Sequence, residues 1–243
     1  MVNKTHYIII IKKGGTMLRK IFLLFAAFIF ITAELLPQSA PPLAANPKFS
    51  FGVLVGYTDN FGVNLSGMIT EFSYDIPLAI KFSGGYNVRE AGNPLDARKI
   101  FINDNTNGDP EKSAHSIDLR LDFAYPVRLF SIRKSFLYVG PRYSMHTSTF
   151  NFVGGNEFFD ISTSQFGFGA GLETYFGISP NLSFVFSGGF DYYLDAQVGG
   201  HDSFYNPDGT DVSGRGFTYE EAANSINAPK YEFRLMAGLS FGL

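Results

Sequence analysis

The sequence predicts an all-β chain that crosses a membrane as an antiparallel up-and-down β-barrel of eight strands. Three observations predict it. Segments of strict apolar/polar alternation recur along the chain from residue 49 to its end. The apolar face of those segments carries no charge, although 17% of all residues are charged. The connections between segments alternate between short and long. Alternation with period two marks a strand with two different faces. A charge-free face is what lipid enforces, because a charge at the bilayer midplane costs about 2–4 kcal/mol. Short turns at one end and long loops at the other are the usual arrangement of a barrel crossing an outer membrane.

The N-terminus reads as an export address. Lys4, Lys12, Lys13, Arg19 and Lys20 precede an apolar run from Ile21 to Ala33, and Glu34 ends the run. A basic segment followed by an apolar core of this length is a secretory signal. It falls short of the about 20 residues that a transmembrane helix needs. Residues 1–45 are therefore expected to form a signal peptide with a Pro-rich cleavage region, and Met17 is an alternative start. Residues 46–243 then form the barrel. Removing residues 1–45 leaves 14 basic and 21 acidic residues, a net charge of −7. That balance disfavours nucleic acid, whose phosphates select basic surfaces. The chain has no Cys, which excludes a disulfide scaffold and a thiolate metal site.

The alternating segments lie at about 49–58, 64–76, 78–90, 116–127, 135–149, 161–177, 182–195 and 230–243. In the third, Leu78, Ile80, Phe82, Tyr86 and Val88 oppose Lys81, Ser83, Gly85, Asn87 and Arg89. In the fourth, Ile117, Leu119, Leu121, Phe123 and Tyr125 oppose Asp118, Arg120 and Asp122. In the last, Tyr231, Phe233, Leu235, Leu239 and Phe241 oppose Glu232, Arg234, Gly238 and Ser240. Glycines crowd the polar face, among them Gly140, Gly167, Gly169, Gly171 and Gly189. That suits the interior of a narrow barrel, where side chains compete for space. A ten-stranded barrel, using part of 196–229 as an extra hairpin, is the alternative.

This register sends a set of charges into the lumen: Lys81, Arg89, Arg120, Arg142 and Arg234 against Glu71, Asp75, Asp118, Asp122, Glu173, Asp191 and Glu232. In a barrel just wide enough to be filled by side chains they should interlock as ion pairs. The same register predicts two rims of aromatic rings. Tyr57, Tyr86, Tyr143, Tyr192 and Tyr231 fall at the loop end, and Phe49, Tyr74, Tyr125, Phe176 and Phe241 at the turn end. Girdles of this kind mark the two membrane interfaces.

With the signal, the eight alternating strands, the turn and loop asymmetry and the closing segment YEFRLMAGLSFGL in hand, the chain resembles the small OmpA/OmpX-type outer-membrane β-barrels. The resemblance covers about residues 48–243. It implies a bacterial outer membrane as the location, outer-membrane lipid as surroundings, and barrel-insertion machinery as a partner during biogenesis. Barrels of that family usually end in Phe, whereas this chain ends in Leu243, with Phe241 on the same face.

Three places could carry chemistry. His146 and Ser148, with Glu157 or Asp160 to orient the His, have the residue types of a nucleophilic hydrolase site. They faintly resemble the His-x-Ser element of outer-membrane lipid A deacylases, although parity points them inward. Asn103, Asn105 and Asn107 with Gly108 match the start of a calcium loop, whose twelfth position would be Ala114 instead of Glu; a turn-forming loop is the plainer reading. Loop 196–229 contains a short helix expected at Tyr219–Ile226, and Phe204, Tyr205, Phe217 and Tyr219 are candidates to meet an extracellular ligand. No cofactor is expected. The functional expectation is a non-enzymatic structural or surface-display protein whose loops 91–115 and 196–229 serve adhesion or surface interaction. A narrow channel for small solutes and a lipid-active enzyme are the alternatives.

Overall fold

Lys48–Thr58 forms β1, and the chain reverses at a single residue, Asp59, into β2 at Asn60–Thr70. Asp59 has a φ of 71°, a left-handed conformation that Asp tolerates because its side chain is short and polar. β3 is Ala79–Arg89, α1 Pro94–Phe101, β4 Asp109–Leu129, β5 Ile132–Val153, β6 Phe158–Ser179 and β7 Leu182–Tyr193. Two three-residue strands follow, β8 at Val198–Gly200 and β9 at Ser203–Tyr205. Helix α2 at Tyr219–Ser225 and strand β10 at Tyr231–Gly242 complete the order. This computed structural model describes residues 47–242 except 73–76, 105–106, 130–131, 156, 202 and 211–213, with backbone alone at 129, 132 and 133. The expected signal peptide, Asp75, Tyr74, Asn105 and Leu243 lie outside the described residues.

Eight strands close into an antiparallel ring, β1 to β7 in order and then β10 back to β1. Closure leaves no edge within the bilayer, where an unpaired backbone amide has no water to bond. The pair β8–β9 does not enter the ring: it adds to β6 at Ile161–Thr163, above the barrel. The barrel therefore has eight members, not ten.

Three strands run farther than alternation indicated. β4, β5 and β6 have 21, 22 and 22 residues, where about 9–11 suffice to cross a membrane. Phe158–Phe166 of β6 continue past Gly167–Tyr193, the last pair with β7. Along that extension the two faces exchange character. The inward face of β5 is Arg142, Ser144, His146 and Ser148, then becomes Phe150 and Phe152, all buried. The outward face of β6 is Phe168 and Phe166, then becomes Ser164, Ser162 and Asp160. Below the exchange the barrel turns grease toward lipid, and above it grease turns inward as in a water-soluble sheet.

The inward grease of the extension is the floor of a second core. Phe150, Phe152, Phe159 and Ile161 pack with Ala97, Ile100 and Phe101 of α1, Ala222 and Ile226 at α2, and Val198 and Tyr205 of the short hairpin. Each helix has its own start signal. Asn93 accepts from the Leu95 and Asp96 amides at 3.0 and 3.4 Å, with Pro94 as the first helical residue. Thr218 and Glu221 form a reciprocal capping box on α2. Gly92, at φ 79°, lets the helices meet: a Cβ there would fall 2.3 Å from the Ser225 carbonyl oxygen.

Candidate functional site: the lumen and its cap

From the turn end upward, the lumen is filled in layers. The lowest is apolar, formed by Leu54, Met68, Ala79, Ala124, Phe136, Tyr138, Tyr175, Val185 and Met236. Directly above it the Lys81 ammonium pairs with Glu173, which also accepts from the Tyr175 hydroxyl.

The middle layer is organised by Asp191 on β7. Its carboxylate accepts from Arg234 Nε at 2.7 Å and Arg142 Nε at 2.8 Å, and Arg120 Nε lies at 3.5 Å. Arg142 also reaches Asp122 at 2.8 Å. Gly169 makes room for this junction: a Cβ there would sit 1.7 Å from Asp191 Oδ1 and 2.6 Å from Arg142 Nε. Tyr138 likewise lies over Gly171 and Gly189, where a Cβ would meet its hydroxyl at 2.3 Å. The lumen glycines are thus set by close approach of neighbouring groups.

The upper layer centres on Arg89, which bridges Asp118 at 3.2 Å and Glu232 at 2.9 Å and donates to Ser116 at 2.9 Å. Asn87 donates to Asp118 and accepts from Thr58. Lys81, Arg89, Arg120, Arg142 and Arg234 are all buried, as are Asp118, Asp122, Glu173, Asp191 and Glu232. Among the described residues the lumen therefore balances five cations with five anions.

Glu71, expected among the lumen charges, is not there. β2 ends at Thr70, and Glu71 is exposed beyond it at φ 56°, paired with Lys48 at 2.8 Å. The left-handed residue breaks the alternation, so parity no longer reports which way Glu71 points. Sequence reasoning also passed over Tyr138, Tyr175 and Thr58 as lumen residues. Their inward parity was readable, but aromatic and small polar residues carry no charge signal.

The aromatic rims are on the outside. Phe49, Tyr57, Tyr86, Phe176, Tyr231 and Phe241 are exposed, and Tyr125, Tyr143 and Tyr192 are half-exposed. Tyr192 and Tyr231 pack with ring centroids 5.2 Å apart, and Tyr86 stacks on His115 at 5.5 Å.

The structure brings His146 and Ser148 together, 3.1 Å apart and buried, but in an arrangement unsuited to hydrolysis. Both contact the Ile226 carbonyl at 3.1 Å. A carbonyl only accepts, so His146 Nε2 carries a proton toward it, and Ser148 donates its own hydroxyl hydrogen there. A base that already holds the proton cannot take one from Ser148. The carboxylates meant to orient His146 are engaged elsewhere. Glu157 pairs with Arg98 Nε at 2.8 Å and accepts from Asn103 at 2.9 Å. Asp160 accepts from Thr149 at 2.6 Å. What the pair does is hold the end of α2 in the barrel mouth.

A cation of the chain itself stands beside the described part of the expected calcium loop. Arg98, buried in α1, donates to the Asn107 carbonyl at 2.9 Å, lies over the Phe152 ring at 4.4 Å and pairs with Glu157. The Arg98 guanidinium thus stands beside Asn107, at one end of that segment. Burial pushes the Glu157 carboxyl up, but hydrogen bonds from Arg98 and Asn103 and the Arg98 charge outweigh it, holding the group below the usual carboxylate range. Of the loop aromatics, Phe204 is exposed, Phe217 and Tyr219 pack partly buried against the cap, and Tyr205 is fully buried. Tyr205 donates to the Ile100 carbonyl at 3.2 Å and packs edge-on against Phe101. It is a strut of the cap, not a contact surface.

A closed eight-stranded ring with an apolar outer band and a filled polar interior defines the class: an integral outer-membrane β-barrel of the small type. Among solved structures, the chain is similar to a major outer membrane protein of Thermus thermophilus, with 21% identity over 82% of this chain and 100% of that one, and a TM-score of 0.67. It overlays more loosely on Ail, the attachment invasion locus protein of Yersinia pestis, at 14% identity over 81% and 97% of the two chains and a TM-score of 0.44. The overlay on CarO2 of Acinetobacter baumannii is similar, at 14% identity over 81% and 98% and a TM-score of 0.40. Of these three, the Thermus barrel overlays closely enough to bear on the fold. No protein-family model matches this chain, and no curated protein does.

Proposed function

We propose that this chain is a non-enzymatic outer-membrane scaffold whose barrel anchors a folded cap, and that the cap serves adhesion or surface interaction. The observation that carries this reading is the filling of the lumen from end to end. An apolar layer, a neutral lattice of ion pairs and a docked α2 leave the barrel's investment in its loops, which on a rigid scaffold are where recognition sits. The ordered core beneath α1, α2 and the short hairpin supports a role for loops 91–115 and 196–229, since a preorganised surface loses less entropy on binding. Export through a signal in residues 1–45 and insertion by barrel-assembly machinery complete the reading.

Two measurements test it. In planar bilayers the purified full chain should give no steady current; a current abolished by Asp122→Asn or Arg120→Met would replace this reading with the narrow channel. Cells displaying the chain should attach better to matrix-coated surfaces than cells displaying a variant with residues 206–216 replaced by a short Gly/Ser linker. Equal attachment removes the adhesive role.

A further inference from the structure

The lipid-facing side of β1–β4 is not an even wall. It contains a groove of about 720 Å³, floored by Gly67 on β2 and Gly84 on β3. Both point outward, where their neighbours in register are large: Gly67 lies between Phe51 and Phe82, and Gly84 between Leu65 and Leu119. The lumen glycines are explained by close approach, but these two are not. A Cβ on Gly67 would come no nearer than 3.8 Å to Phe51, and one on Gly84 no nearer than 3.8 Å to Leu119, both ordinary contacts. Nothing within the barrel requires glycine at either place, and glycine weakens a strand. The register runs unbroken through both, so neither sits at a bulge, and the other common use of a strand glycine is to let a ligand or another backbone come close. Gly188, the outward glycine on β7, stands singly between Leu172 and Leu235.

The shape selects the occupant. Phe51, Leu65 and Phe82 stand proud, at 56, 59 and 57% exposed. A second barrel is convex and would rest on these ridges without touching the floor, whereas a thin flexible chain reaches it. The lining is apolar and offers no side-chain charge to a polar ligand. From Val63, beside Tyr86 at the loop-side rim, to Gly67 the strand runs about 14 Å, which at a tilt of about 35–45° is about 10 Å of depth, within the loop-side half of the about 30 Å hydrocarbon thickness. We propose that this groove seats one acyl chain of a lipid in the loop-side, outer leaflet. The chain enters beside Tyr86 and lies over Gly84 and Gly67.

The natural chain has no Trp, so one introduced indole reports one place. Phe82→Trp would report the groove and Phe186→Trp the opposite wall. Each full-length variant is placed in asymmetric vesicles carrying brominated-chain phosphatidylcholine only in the loop-side leaflet. The groove reporter should lose more fluorescence than the reference. Adding Gly67→Leu and Gly84→Leu should abolish that excess while heat-modifiable gel mobility shows the barrel still folded. If the leucine pair folds poorly, Gly67→Ala with Gly84→Ala is read the same way. Equal quenching at both reporters, an excess that survives filling, or an excess only with bromine in the other leaflet overturns the proposal. So does a groove reporter shielded from bromine together with cross-linked dimers, which would assign the groove to a second copy.

Discussion

Ser148 on β5 donates a hydrogen bond of 3.1 Å to the carbonyl of Ile226, the residue that ends α2. His146, two residues earlier on the same face of the strand, reaches the same oxygen, so both side chains meet the end of α2 at one carbonyl. Ser148→Ala removes one of its two donors and should cost about 1 kcal/mol, the usual net worth of one such bond. The loss is local. Amide exchange in α2 should quicken several-fold, while exchange in β1 and β10 stays unchanged.

Asp191 is shared by Arg142, Arg234 and, more distantly, Arg120. Asp191→Asn takes away the carboxylate that Arg234 donates to and leaves Arg142 with Asp122, and it should destabilise the barrel by about 3–5 kcal/mol, the range for breaking a buried pair from one side. Urea unfolding from liposomes measures it. Pairing the change with Arg234→Met should recover part of the loss, because the residual charge imbalance falls.

The exchange of faces along β6 places the membrane boundary between Phe166 and Ser162. Leu172→Arg, on the outward face between the levels of Tyr192 and Phe176, puts a charge deep in the hydrocarbon and should cost about 2–4 kcal/mol, whereas Ser162→Arg, on the same face of the same strand, should cost about 0–1 kcal/mol. Refolding into liposomes separates the two. Equal costs would mean that lipid covers the extension as well.

The Glu157 carboxyl is held below the usual carboxylate range in the folded cap. Its contribution is therefore fully present above the unfolded value and is lost as pH falls through the lowered folded value. Limited proteolysis at the β5–β6 tip should accelerate in acid over that window. Glu157→Gln should make cleavage fast at neutral pH and flatten its acid dependence, because Arg98 then lacks its counter-charge at every pH.

The alternation in the strands was legible because a strand has only two faces. Leu119 beside Arg120, or Glu232 beside Phe233, reveals its side by parity alone. Parity failed at Glu71, where a left-handed residue ends β2 and resets the count. It also failed to extend β5 and β6, because Phe150 and Phe159 follow the strand period while changing the meaning of the inward face. Helix α1 had a readable start in Asn93-Pro94 and a readable charge order, Asp96 before Arg98 and Lys99. The Asn/Gly-rich segment after it favoured a loop instead.

By itself the sequence determined the eight crossing strands and the two unlike faces of each. Each follows from a local period set against one uniform solvent, lipid, which tolerates no charge. Tertiary structure alone decided which carboxylate meets which guanidinium, because partners such as Arg89 and Glu232 are 143 residues apart and meet only when the ring closes. It also decided that His146 and Ser148 meet at the carbonyl that ends α2. That meeting depends on the Ile226 carbonyl, a backbone group whose position no side-chain pattern encodes.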